Sequence, residues 1–167
     1  VMGDGEQQKG QIGEARRFAV RYELGNLLGI VDRNHLQIGG STNQVMPQMI
    51  RAEYVANQWN VLYLEDGHDF QAIFQALRRV YRQEVDDPRY PSIIVARTVM
   101  GKGVPFMENK AKYHGSPLKE DEAAAALDHL GLDNPIPEYR TRRGKHFIFQ
   151  EGFCPPVAYP EVATGTP

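Results

Sequence analysis

Asp4 stands between Gly3 and Gly5, and Asn34 and Leu36 follow after a helical stretch and an apolar run. A hard divalent cation such as Mg²⁺ takes about six oxygen ligands, close to octahedral, shared among one or two side chains, waters and substrate phosphates. Asp4 offers a carboxylate oxygen and Asn34 an amide oxygen. If Asn34 begins a turn, the main-chain carbonyl of Leu36 supplies a third, and the remaining positions fall to a diphosphate and water. Gly3 and Gly5 let the backbone approach phosphate closely, while the following helix turns its N-terminal amides toward the anion. The order of these residues predicts one diphosphate-metal clamp, for Mg²⁺ or Ca²⁺.

Such a clamp needs elements to hold its halves together. Residues 10–24 place Ile12, Ala15, Phe18, Ala19 and Tyr22 on one helical face, with Gly25-Asn26 as the stop. This helix is expected to pack on a sheet. Residues 27–31 form a short continuous apolar run, the mark of a strand buried on both faces, and it delivers Asn34 to the sheet edge. Residues 39–43 read as a loop and 47–57 as a helix with Pro47 in its first turn. A strand over 60–65, a helix over 69–83 with Phe70, Ile73, Phe74, Leu77, Val80 and Tyr81 as its apolar stripe, and a strand over 92–99 follow. A last helix runs over 119–130, opened by Ser116-Pro117 and acidic residues.

Strands of buried type alternating with helices imply an α/β, doubly wound, mainly parallel sheet with helices on both faces, whose ligands sit at the carboxyl ends of strands. Asp4, Asn34, His68 and Met100 all come just after predicted strands, so one rim holds them. Gly3-Asp4-Gly5 should itself follow a strand, yet only Val1 and Met2 precede it, and the chain is expected to begin inside a larger domain, truncated on its N-terminal side. Residues 1–138 are expected to form the binding domain, and 139–167, with prolines and a solvated basic cluster over 140–145, a linker or tail.

Composition narrows the classes. In 167 residues, 41% apolar and 24% charged, the chain can bury one domain's core. The formal net charge of -2 gives no reason to expect a nucleic-acid or membrane surface. Cys154 is the only cysteine, which excludes an internal disulfide and a cysteine-rich metal site and fits a reducing, cytoplasmic setting. The five histidines are scattered without zinc spacing, and neither a Gly-x-Ser-x-Gly elbow nor a Walker-type Gly-Lys-Ser/Thr occurs.

Taken together, Gly3-Asp4-Gly5 and Asn34 resemble the thiamine diphosphate signature. Asn34-His35-Leu36-Gln37-Ile38-Gly39-Gly40 resembles the transketolase segment after the metal asparagine, and Tyr113-His114-Gly115-Ser116-Pro117-Leu118-Lys119 its later histidine motif. Leu64-Glu65-Asp66-Gly67-His68-Asp69 and Thr98-Val99-Met100-Gly101-Lys102-Gly103 fall between them in the family's order. The resemblance covers Gly3 to about Leu130.

It implies that Asp4, Asn34 and the Leu36 carbonyl hold the metal, and that Gly3, Gly5, Glu6, Asn34, Ile38, Met100 and His114 bind the cofactor. Ile38 and Met100 would press on its rings, and His114, as the catalytic candidate, would contact the diphosphate and lie beside substrate. Glu6 and Glu14 match first-helix positions near the cofactor and the dimer interface. Transketolases commonly carry a glutamate where this chain has Lys9, a departure in the interface carboxylate network. Lys102, where family members vary, could reach a phosphate or be a solvated lysine, and His68 reads as structural, with Asp69 capping the next helix.

The activity so implied is transfer of two-carbon ketol units between sugar phosphates, with a partner chain carrying the pyrimidine-binding domain and a homo- or hetero-oligomeric assembly. No segment resembles that second domain, so the chain alone is expected to be inactive. Two alternatives stand beside it: a cofactor-binding or interaction module without turnover, and a part of another thiamine diphosphate enzyme such as deoxyxylulose-phosphate synthase or a 2-oxo acid dehydrogenase component.

Overall fold

The computed structural model describes residues 1–143. By contact the chain divides into two compact units, Val1–Gly131 and a second beginning at Leu132. The first unit is built on a four-stranded parallel sheet, β1 (Met2–Gly3), β2 (Leu28–Arg33), β5 (Asn60–Leu64) and β6 (Ser92–Arg97), in spatial order β1-β2-β6-β5. Two further short strands, β3 (Leu36–Gln37) and β4 (Gly40–Ser41), pair antiparallel beyond the end of β2.

The α/β arrangement expected from the alternation is present, and its two faces have separate cores. On one face α1 (Gly10–Arg21) and α3 (Ile50–Ala56) cover Val31, Ile93 and Val95, with Tyr54 and Trp59 buried between them. The Trp59 indole N–H donates to the Arg16 carbonyl at 3.0 Å, so its one polar atom is satisfied inside. On the other face α4 (Phe70–Tyr81) packs Ala72, Ile73, Ala76 and Val80 over Leu62, Leu64, Ile94 and Ala96.

Two helices bury a narrower stripe than their apolar residues predict. In α4 the expected stripe resolves into two faces: Ile73 and Val80 go inward, while Phe70 (88% exposed), Phe74, Leu77 and Tyr81 (89% exposed) face solvent. In α1, Ala19 and Arg16 are buried, Arg16 pairing with Glu53 at 2.6 Å, and Phe18 and Tyr22 meet outside at 4.5 Å between ring centroids. The cause is geometric, since a three-turn helix lying on a flat twisted sheet presents only a few side chains to it.

Boundaries follow local chemistry. Asp69 caps α4, its carboxylate accepting from the Gln71 and Ala72 N–H groups at 2.8 and 3.2 Å, as expected for that residue. β5 is anchored at its start by buried Asn60, whose amide donates to the carbonyls of Asp87 and Tyr90 and accepts from the Asp87 N–H. Residues 39–43, read as loop, instead hold β4 and the start of a one-turn α2 (Thr42–Val45) capped by Ser41. α3 starts at Ile50 and leaves Pro47 outside, with Gln48 engaged elsewhere.

α5 (Glu120–His129) closes the first unit, its capping box returning Glu122 to the Lys119 N–H at 3.1 Å. In the second unit α6 (Ile136–Arg143) stands where a linker was expected; the Asn134 side chain accepts the Ile136 N–H at its start. Cys154 and the end of the basic cluster lie outside the described residues. Among the described residues no helix is long and apolar enough to cross a membrane.

Candidate functional site

Asp4 leaves the end of β1 and enters a 3-10 turn, Gly5–Gln8, that leads into α1. Its main-chain N–H donates to the Asp32 carbonyl at 3.2 Å, which sets the turn against the end of β2. The carboxylate is 2% exposed, and its Oδ2 accepts the His35 N–H at 2.7 Å. Burial pushes the Asp4 pKa up; the N–H groups of His35 and Gly5 oppose this without cancelling it. No ion pair to Asp4 occurs among the described residues, so the site holds a buried carboxylate in want of positive charge.

Asn34 begins a turn, as its sequence position implied. Its Oδ1 accepts the Leu36 N–H at 2.9 Å, closing an Asx turn, and this oxygen keeps a second lone pair. His35, between them, sits in the left-handed region at φ 62° and is fixed at both ends: its N–H goes to Asp4 and its carbonyl accepts the Thr42 N–H at 3.0 Å. Burial and the neighbouring Arg33 charge both hold the His35 imidazole below its usual pKa.

An open cleft of about 510 Å³ gathers Asp4, Gly5, Glu6, Leu36, Ile38 and His114, together with Lys9 and Gln37. Ile38 reaches it from the turn after β3 and is 82% exposed. His114 reaches it from the far end of the unit, just after a 3-10 turn, Ala111–Tyr113. That segment is tied down by the Tyr113 hydroxyl, which donates to Glu122 of α5 at 3.2 Å. Gly3, Asn34 and Met100 do not line this cleft. Gly3 ends β1, Asn34 accepts the Leu36 N–H, and Met100 lies in the turn after β6, its carbonyl accepting the Asn109 N–H at 3.1 Å.

The donor set suits a hard cation. Among the described residues no group of three His, Cys, Asp or Glu side chains gathers to hold a metal, so any ion here depends on the mixed set of one carboxylate, one amide oxygen and one carbonyl. Gly5 lets the Gln37 side chain approach the turn closely, because a Cβ there would stand 2.8 Å from Gln37 Oε1. Lys9, at the start of α1, pairs with Glu6 at 3.4 Å on the cleft wall.

His68 lies outside the cleft. Its Nε2 accepts the Val99 N–H at 2.8 Å, which pins the turn after β6 to the one after β5 and gives the ring the structural role expected of it.

Sequence reasoning passed over the residues behind the Asp4 turn. Gln7 is as buried as Asp4; its Oε1 accepts the Tyr54 hydroxyl at 2.9 Å and its carbonyl accepts from Gln48 Nε2 at 3.1 Å. Gln8 Nε2 donates to the Met46 carbonyl at 3.1 Å. A glutamine two residues into a polar turn reads as surface, and nothing local in the sequence marks it otherwise.

Residues 1–145 match the family described as transketolase, thiamine diphosphate binding domain. An apulose-4-phosphate transketolase subunit of Phocaeicola vulgatus is 38% identical over 130 residues, 77% of this chain and 44% of that protein. Transketolase 2 of Escherichia coli is 37% identical over 134 residues, 80% of this chain and 20% of that protein. Among solved structures, the transketolase of Campylobacter jejuni superposes with a TM-score of 0.70 at 30% identity, over 79% of this chain and 20% of that one. The Pichia stipitis transketolase solved with sedoheptulose-7-phosphate does so with a TM-score of 0.71 at 27% identity, over 80% and 19%. This chain thus spans less than half the length of each of these relatives. The chain belongs to the transketolase family, in its thiamine diphosphate binding domain.

Proposed function

We propose that this chain is the diphosphate- and metal-binding part of a transketolase-like enzyme that transfers two-carbon ketol units between sugar phosphates. The observation that supports it most is the meeting of Asp4, Gly5, Leu36, Ile38 and His114, from separate stretches of sequence, at one cleft on the carboxyl rim of the sheet. When bound, thiamine diphosphate supplies the nucleophilic carbon chemistry of the transfer.

The chain's own residues hold and orient. Asp4, Asn34 and the Leu36 carbonyl would hold Mg²⁺ or Ca²⁺, whose charge would offset that of buried Asp4, and Gly3, Gly5 and Glu6 would lie against the diphosphate. Ile38 and Met100 limit where the cofactor's rings settle, and Ile38 excludes water from one side. His114 donates a hydrogen bond to a diphosphate or substrate oxygen. A pyrimidine-binding partner chain completes the site, in a homo- or hetero-oligomer. The Phocaeicola vulgatus relative, whose name makes it one subunit of its transketolase, supports a division of this kind.

A coupled assay with xylulose 5-phosphate and ribose 5-phosphate tests the reading. Cofactor-dependent turnover is expected only after a pyrimidine-domain chain is added, and it should vanish in Asp4→Ala. Robust turnover without a partner would overturn the need for one. Absence of turnover in every assembly that binds cofactor would favour a binding module instead.

A further inference from the structure

A second cleft, of about 610 Å³, opens between α3 and the carboxyl ends of β2, β5 and β6, and it shares no lining residue with the Asp4 cleft. Its polar walls are Arg33, Arg51 and Glu65, and its apolar floor includes Met49, Val55 and Tyr63. Clefts of roughly 300–1,000 Å³ are the size that small ligands use.

The charges here are unbalanced. Arg33 and Arg97 are direct register partners in β2 and β6, so their side chains leave the same face one strand apart, an arrangement in which like charges destabilise each other. Val95, two residues before Arg97 on the same strand, lines the cleft, which puts that face on the cleft's side of the sheet. Arg51 approaches from α3 and lies 5.4 Å over the Tyr63 ring. None of these three guanidiniums has an ion-pair partner among the described residues, Glu65 included. Three positive groups against one carboxylate leave two positive charges beside an exposed apolar floor.

We propose that this cleft binds a small phosphate monoester with an apolar or aromatic body, its phosphate between Arg33 and Arg51 and its body on Met49, Val55 and Tyr63. A phosphate monoester carries roughly -1.5 to -2 charges near pH 7, which matches the local excess. The guanidinium fork meets phosphate oxygens two at a time, so Arg is the suitable donor. Arg97 adds long-range attraction from beside Arg33. This reading is independent of the function proposed for the Asp4 cleft.

Titration of the isotope-labelled chain with phenyl phosphate, followed by NMR, tests it. Saturable shifts are expected at Arg51 and Tyr63, with affinity falling about tenfold or more in Arg51→Gln, as for loss of a charge-assisted pair. Affinity should rise in Glu65→Gln. The proposal is overturned if the folded chain shows no saturable binding at millimolar phenyl phosphate, if phenol binds as tightly, or if the Arg33→Gln, Arg51→Gln double variant retains full affinity. Displacement of the probe by Mg²⁺ and thiamine diphosphate would place it in the other cleft and overturn the proposal equally.

Discussion

The main-chain N–H of His35 donates to Asp4 Oδ2 at 2.7 Å, so the corner after β2 and the turn after β1 share one carboxylate. Two stretches 31 residues apart in sequence are thereby tied together at the rim of the sheet.

Replacing Asp4 by Asn keeps an acceptor for His35 and removes the charge. The affinity of the partner-assembled protein for Mg²⁺ with thiamine diphosphate should fall by more than roughly ten- to a hundredfold, the usual cost of disturbing even the partners of a metal ligand. Calorimetry measures this, with circular dichroism to show that the fold persists. Equal affinity would mean that the clamp is elsewhere.

The protonation of Asp4 gives a second test. Burial raises its pKa in the folded chain above the ordinary 3.8, so the folded state holds this proton more tightly than the unfolded one. Its contribution to stability is therefore full below 3.8 and is lost as pH rises through the folded value. Denaturant unfolding of the metal-free chain, compared with Asp4→Asn, should show wild type gaining relative stability as pH falls through that window. A difference of the opposite slope would show that the two N–H donors outweigh desolvation.

Tyr54→Phe removes one hydroxyl from behind the site. Burial holds the Tyr54 pKa above its usual value, so at neutral pH the hydroxyl is a donor, and its loss leaves buried Gln7 Oε1 without this partner. A cost of about 1–3 kcal/mol in urea unfolding is expected. Because the Gln7 N–H is bonded to the Asp4 carbonyl, the slack should reach the clamp and speed amide exchange at His35. Unchanged exchange at His35 alongside lost stability would show that the two are not connected.

On the opposite side of the rim, His68→Ala frees the Val99 N–H and should cost about 1–3 kcal/mol. Gly67→Ala attacks the same junction by crowding, since its Cβ would stand 2.8 Å from the Arg97 carbonyl and 2.7 Å from Thr98 Cγ2. A loss of roughly 1–3 kcal/mol is again expected. Thermal melts measure both, and a neutral Gly67→Ala would mean that this junction has room the geometry does not show.

The sheet and its rim were legible because period and punctuation agree there. Runs such as Ser92–Arg97 are apolar nearly throughout, and Asp69 marks a helix start by local chemistry, whereas α1 stops at Arg21, short of the Gly25 expected to end it, with Glu23 in the left-handed region at φ 50°. Asp4, Gly5, Leu36, Ile38 and His114 do share a cleft. Contacts decided by three-dimensional partners were not legible. Gln7 looks polar and solvated until Tyr54 is placed against it, and Phe70 looks like core until the sheet beneath α4 proves to accept Ile73 and Ala76 instead. The helix Ile136–Arg143 was hidden by Pro135 and Pro137, which read as breakers although proline fits a helix's first turn.

The outward row on α4 affects how the chain behaves in bulk. Phe70, Phe74, Leu77 and Tyr81 follow one another up the helix with little to shield them from water. Molecules carrying such a ridge attract one another weakly and without fixed orientation, so the osmotic second virial coefficient of the isolated chain should be negative. Its apparent melting temperature then becomes a function of concentration, through mass action between copies. Charged replacements at Phe70 and Tyr81, which touch neither cleft, would remove that dependence and leave a solution whose properties report the folded chain alone.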